Sequence, residues 1–298
     1  MNYQELLQSP VIPPQIASLA QKAAHNMAPV LIQGEQGTRK ELLAKVIHFT
    51  GDWKSYRFCK IDCRILTEDA FHAQLSQLFR EIHYGEVPAT LFLKEVGYLG
   101  QGGQLKVLEL IEDGILQNGN EKRVIKNVRL IASSSEDLKE KAAQGKFSED
   151  LYYQLSTLSI SVPPLRERTN EISKIARYIL EEYSKKMRIK RVAISDDVLT
   201  LFENYWWPGN LRELENVMIR SAIFSDGDSL KEKDLFFRSE NGIASFSSFL
   251  KKSDMKPLAL GERRLSEEQK AQSFFAFLIE LVHRIKNPLV SIKAFTQL

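Results

Sequence analysis

Residues 28–33 read APVLIQ, a short apolar run that ends in a glycine-bearing turn, GEQGTRK, at residues 34–40. Leu42, Leu43, Val46 and Ile47 then recur at helical spacing. A strand, a tight turn and a helix in immediate succession begin a layered α/β domain, because a strand buried on both faces must be covered by the helices that follow it. The pattern repeats along the chain. Residues 56–61 alternate; residues 90–96 (TLFLKEV), 128–132 (VRLIA) and 158–162 are apolar runs; residues 104–111 carry a Leu105, Leu108, Ile111 stripe. These features predict a parallel sheet with helices on its faces over residues 1–165. Pro163 and Pro164 close that region, and residues 171–187, 195–205 and 210–224 are three helical patterns without strands between them, which predicts a small helical domain over 166–238. Residues 239–265 begin Ser-rich around Gly242 and read as a linker. In 266–298, Ser266 and Gln269 form a capping box, and Leu278, Ile285 and Ile292 are seven apart, as for a coiled-coil-like helix.

Composition narrows the function classes. Lys and Arg number 41 against 38 Asp and Glu, and a net charge of +3 is too mild for a general nucleic-acid binder. No apolar run reaches the ~18 residues of a membrane span, and the first ten residues lack a basic patch followed by an apolar stretch. The two cysteines, Cys59 and Cys63, rule out a disulfide framework, and no metal-ligand grouping surrounds them. A reducing cytoplasm, no membrane partner and no direct DNA binding are the expectations.

The turn after the first strand resembles a Walker A loop, in which glycines let backbone N–H groups face phosphates and a lysine meets the outer ones. Gly34, Glu35, Gln36, Gly37, Thr38, Arg39, Lys40 and Glu41 are therefore the nucleotide-binding candidates. Gly34 and Lys40 keep the spacing, whereas Arg39 stands at the second glycine and Glu41 at the usual Ser or Thr.

GEQGTRKELLAKVIH, TLFLKEVGYL, VRLIASSSEDL, GKFSEDLYYQLSTLSISVPPLRER and WWPGNLRELENV follow in this order. Together they resemble the AAA+ domain of sigma-54-dependent transcription activators, from about residue 8 to 237. The resemblance implies an α/β P-loop core with a helical lid, ring assembly, and ATP hydrolysis that remodels RNA polymerase. Several positions depart from it. The acidic motif, usually Asp-Glu, is Lys94-Glu95; beside a divalent ion ~4 Å away, at an effective dielectric of ~20, each sign is worth at most roughly 8 kcal/mol. The resemblance places Ser135 at the sensor asparagine and Ser148 and Gln154 at the arginine fingers; such fingers contribute ~10³-fold or more in rate. Arg212 matches the second sensor arginine. No GAFTGA loop precedes the acidic strand, and no helix-turn-helix follows the lid, so direct sigma-54 contact is not expected. These losses predict a pseudo-ATPase. ATP or ADP would be held through Lys40, Arg39, Lys94 and Arg212, with Glu95 the residual acid, Mg²⁺ doubtful and no other metal. Trp206, Trp207 and Pro208 are expected to pack, with Asn210 and Glu213 as a helix cap and its partner.

Residues 281–298, LVHRIKNPLVSIKAFTQL, resemble the H-box of sensor histidine kinases. His283 then falls on the outward face of the helix as a candidate phosphoacceptor, with Pro288 bending the helix just below it. Arg284 stands where the family has an acid, and a cation there disfavours loss of a proton from the imidazole. The second bundle helix and the kinase domain are absent from the sequence, which is expected to be truncated. The expectation is a bacterial two-component signalling protein in which the AAA+ part is a regulatory or oligomerisation input, self-associating as a dimer or ring, with a response regulator downstream. An active AAA+ transcription regulator and a scaffold without catalysis are the alternatives.

Overall fold

A computed structural model describes residues 2–82, 86–118, 121–125, 127–187, 193–225, 229–239 and 242–245. The expected H-box helix with His283 and Arg284, and most of the expected linker, lie outside the described residues.

In chain order the elements begin with helices α1 (Tyr3–Leu7) and α2 (Pro14–Ala24), strand β1 (Val30–Gln33), α3 (Lys40–Thr50), β2 (Arg57–Asp62), α4 (Glu68–Glu81) and β3 (Ala89–Lys94). There follow α5 (Gln101–Glu112), the short strands β4 (Ile115–Asn118) and β5 (Glu121–Val124), β6 (Val128–Ser134), α6 (Leu138–Ala143), α7 (Glu149–Leu155) and β7 (Leu158–Ser161). The helical region comprises α8 (Thr169–Met187), α9 (Asp196–Asn204) and α10 (Asn210–Phe224), with short strands β8 (Ala193–Ile194), β9 (Ser229–Leu230), β10 (Phe236–Ser239) and β11 (Gly242–Ser245).

Five strands form one sheet in the order β2-β3-β6-β1-β7, and every pair in it is parallel. Side chains alternate across the sheet, so neighbours in one strand serve opposite cores. Val30 and Ile32 join Phe92, Ile131 and Ile160 in the layer covered by α1–α3. Leu31 joins Leu91, Leu93, Leu130 and Ala132 in the layer that contains Phe71, Leu75 and Phe79 of α4 and Leu151 and Leu155 of α7. The result is the expected α/β/α core. Its parallel strands all end at one edge, and Gly34 after β1, Glu95 after β3 and Ser135 after β6 line up there, where ligands of such sheets bind.

The sequence reading omitted seven elements of this region: α1, α2, α4, β4, β5, α6 and α7. Helix α2 begins with Pro14 at its first turn and buries Ala20, Ala23 and Ala24, a face too small to stand out as an apolar stripe. Helix α4 opens on a Thr67 cap, whose hydroxyl accepts from Ala70 N–H. The β4–β5 hairpin is antiparallel and separate from the main sheet.

The chain divides into two compact units. One comprises residues 1–183 and 199–216; the other comprises 184–198 and 217–298. Within the second, β8 pairs with β9 in parallel, and β10 pairs with β11 as an antiparallel hairpin. Residues 242–245, expected to be linker, are therefore a strand. Among the described residues no helix is long and apolar enough to cross a membrane.

Candidate functional site: a rewired phosphate loop

The loop between β1 and α3 has the backbone of a phosphate cradle. Gly34 and Gly37 take φ values of +152° and +84°. A Cβ on Gly37 would lie 2.1 Å from Gly209 O, so only glycine fits against the start of α10. Arg39 also adopts the left-handed region, φ 66°, where the phosphate-loop motif has its second glycine.

Lys40, the first residue of α3, is buried. Its ammonium donates to Gly34 O at 2.6 Å and Glu35 O at 3.1 Å, and stands 3.2 Å from Glu95 Oε1. Those three partners use all three of its protons. Burial pushes the Lys40 ammonium below its usual value, with Glu95 opposing. A phosphate arriving at this loop must compete with the loop's own carbonyls for the lysine.

Glu95 is equally committed. Its Oε2 accepts from Ser135 N–H at 2.8 Å and from Ser135 Oγ at 2.6 Å, while its Oε1 faces Lys40. With side chains 6% exposed on both partners, this is a closed ion pair. A general base must offer a free lone pair to the water it deprotonates; here Oε2 accepts two hydrogen bonds and Oε1 faces the Lys40 ammonium, so three of the roughly four acceptor sites are committed.

Lys94 points into a cluster of carboxylates. Its Nζ lies 3.1 Å from Asp62 Oδ2 and 3.4 Å from Glu41 Oε2. Glu41 also meets Lys60 at 3.0 Å and Lys45 at 3.4 Å. Burial opposes these cations, but together they hold the Glu41 carboxyl below the usual range. Arg64, at 2.8 Å, is the main cause of the still lower Asp62, with Lys94 adding to it. The Glu41–Lys94 ion pair thus joins the two positions expected, from the resemblance to P-loop ATPases, to organise a divalent ion. The residues present do not fit Mg²⁺: a cation already occupies the space between Glu41 and Asp62.

The two residues expected at the finger positions, Ser148 and Gln154, make local contacts. Ser148 Oγ caps α7 by accepting from Leu151 N–H, and Ser148 N–H donates to Gln104 Oε1. Gln154 Nε2 donates to Glu112 on the surface. No arginine occurs anywhere between Arg129 and Arg166. Arg129 is fully buried, and Arg166 donates to both oxygens of Glu35.

Sequence reasoning missed how α10 engages this loop. Asn210 is not its cap. The Asn210 side chain accepts from Leu165 N–H and donates to Gln36 O and Glu35 Oε2. Glu213 instead accepts from Gly209 N–H, and burial raises its pKa. Arg212 N–H donates to Gly37 O, and Arg39 pairs with Glu215. Trp207 packs as expected, buried with its indole N–H donating to Phe202 O, whereas Trp206 lies exposed with the Arg166 guanidinium 5.0 Å from its ring. Asp62, Lys60 and Arg166 were not read as site residues. Only Arg166 had a signal in the sequence, its place in the quoted PPLRER stretch.

Beside the loop, Val11, Ile12, Ile16, Leu42, Val162 and Leu211 line an apolar pocket. Thr38 and Arg39 belong to the same pocket, so it adjoins the phosphate cradle. Cys59 and Cys63 are free and buried, and burial pushes the Cys63 thiol up to about 12, which leaves neither poised as a nucleophile. Among the described residues no group of three or more His, Cys, Asp or Glu is arranged to hold a metal ion.

Comparison with known proteins agrees with this architecture. The sigma-54 interaction domain profile matches residues 9–161, and the AAA+ ATPase lid domain profile matches residues 166–245. The Nif-specific regulatory protein of Azotobacter vinelandii is 34% identical over 213 residues, covering 67% of this chain and 41% of the relative. Regulatory protein AtoC of Escherichia coli is 30% identical over 261 residues, covering 84% of this chain and 55% of the relative. The chain thus spans about half the length of the curated relatives it matches. In fold it is similar to NtrX from Brucella abortus, crystallised in complex with ATP, with a TM-score of 0.67 at 23% identity over 91% of this chain and 62% of that one.

Proposed function

The chain belongs to the sigma-54 interaction domain family of AAA+ proteins, and from that membership we propose that it is a nucleotide-binding module without hydrolysis, serving as a regulatory or oligomerisation input in bacterial signal transduction. The observation that carries this reading is the Lys94 ammonium set between Glu41 and Asp62, where hydrolysis needs a divalent ion. Three further features support it. The acid Glu95 is held by Lys40 and Ser135, the expected finger positions Ser148 and Gln154 carry no charge, and no arginine lies between Arg129 and Arg166 in the sequence. Each removes a different part of transition-state stabilisation, so restoring one alone restores little.

Nucleotide binding draws on parts that remain. The loop keeps its glycines and Lys40, Arg39 and Arg212 add positive charge, and the apolar pocket at Val11, Ile12 and Leu211 adjoins the loop as a base site would. NtrX, which shares the fold, has been crystallised with ATP and with ADP. The GAFTGA sequence is missing from the chain, which argues against direct sigma-54 contact. In this reading the module self-associates, and its state passes through residues 239–265 to the helix bearing His283, from which a response regulator would receive the phosphoryl group once a kinase domain supplies it.

Thermal unfolding of the purified full chain against ATP and ADP concentration tests the binding half. The midpoint should keep rising with the logarithm of nucleotide concentration above Kd, a stabilisation of ~2.7 kcal/mol at a hundredfold excess over Kd, and Lys40→Ala should abolish the rise. A midpoint indifferent to both nucleotides contradicts the reading.

A further inference from the structure

Lys94 and Lys40 are held in different ways, and the difference assigns them different roles. Lys40 is sealed: its side chain is 6% exposed, and each of its protons has a partner. Lys94 is replaceable where it sits. If its ammonium leaves, Glu41 keeps Lys60 at 3.0 Å and Lys45 at 3.4 Å, and Asp62 keeps Arg64 at 2.8 Å. No carboxylate is then stranded without a cation, so the usual cost of breaking a buried pair does not arise. The side chain is 24% exposed and near enough to Lys40 for its charge to depress the Lys40 pKa.

We propose that Lys94 is a tethered replacement for the divalent cation, so that this site takes a nucleoside triphosphate as the metal-free anion. On binding, the ammonium turns from Glu41 and Asp62 to the phosphate chain. Together with Lys40 and Arg39 it supplies the countercharge that Mg²⁺ supplies elsewhere. A Mg²⁺–nucleotide complex is disfavoured, because it brings less negative charge to the site and sets its metal against the Lys94 ammonium. The inference rests on the nucleotide-binding reading above and adds to it the form of the ligand.

The test is titration of the full chain with ATP, once in EDTA and once in excess Mg²⁺, read by intrinsic fluorescence or heat. Binding in EDTA should be at least as tight as in Mg²⁺. Lys94→Asp should weaken binding in EDTA by tenfold or more, and Mg²⁺ should restore it. Should that variant fail to fold, Lys94→Met, which is neutral and of similar length, should still lose about tenfold in EDTA; unfolding curves without nucleotide report whether each variant folds. Wild-type binding that requires Mg²⁺ overturns the inference and leaves the nucleotide-binding reading intact. Equal affinity of wild type and Lys94→Met in EDTA also overturns the inference alone. Absence of binding in both conditions removes both.

Discussion

At Arg39 a side chain sits where the backbone asks for none. Its φ of 66° lies in the left-handed region, and the guanidinium is drawn to Glu215 on α10. Burial, with Arg212 close by, lowers its pKa, so the pair stands in a crowded positive neighbourhood that suits a polyanion. The backbone cost separates cleanly from the side chain. Arg39→Gly and Arg39→Ala both delete the guanidinium, but only glycine is free at this φ. The glycine variant should be the more stable of the two by about 1 kcal/mol in urea-unfolding midpoints at unchanged slope. Equal midpoints would mean that the loop carries no such strain. The same scale decides the chemistry, since one charge reversal at Lys94 changes what the cleft can hold.

Among the elements, α3 is the hub, and His48 near its C-terminal end fixes it to the sheet. The ring is fully buried; Nδ1 lies 2.8 Å from Thr90 Oγ1 on β3, and Nε2 lies 3.1 Å from Tyr56 O ahead of β2. Nε2 must donate to that carbonyl, which leaves Nδ1 to accept from the threonine. Burial is the main reason its pKa falls from 6.5 to about 4. The folded chain therefore refuses a proton that the unfolded chain takes up. His48 contributes stability that is complete above pH 6.5 and is lost as pH falls toward 4, by up to about 3 kcal/mol. Unfolding free energies measured from pH 7 to 4 should show this loss in the wild type, and a shallower one in His48→Gln. Parallel curves would exclude it. The elements themselves were legible to differing degrees. Strands β1, β3 and β6 read directly from sequence because both of their faces are buried, which makes them unbroken apolar runs. Helix α2 hid behind alanines, and β5 hid because Glu121, Lys122 and Arg123 are charged. The site was legible as positions, since Lys40, Lys94, Glu95 and Ser135 all came from motif order. Its wiring was not. Asp62 meets Lys94 only through the register of β2 on β3, and Asn210 meets Gln36 across 174 residues of sequence. Pairings of that kind are set by tertiary packing and leave no periodicity behind.

For the whole molecule, the sheet edge and the start of α10 form the walls of the proposed nucleotide cleft, while the charges within it are tied to one another. Lys40 is tied to Glu95, Lys94 to Glu41 and Asp62, and Arg166 to Glu35. Such a cleft can report occupancy through α10, whose Arg212 and Asn210 contact the loop directly, without turning nucleotide over. Steady-state phosphate release by the purified full chain, at saturating ATP with Mg²⁺, tests this most directly. The account predicts release no faster than that of Lys40→Ala. Sustained turnover by the wild type that Lys40→Ala abolishes would contradict it.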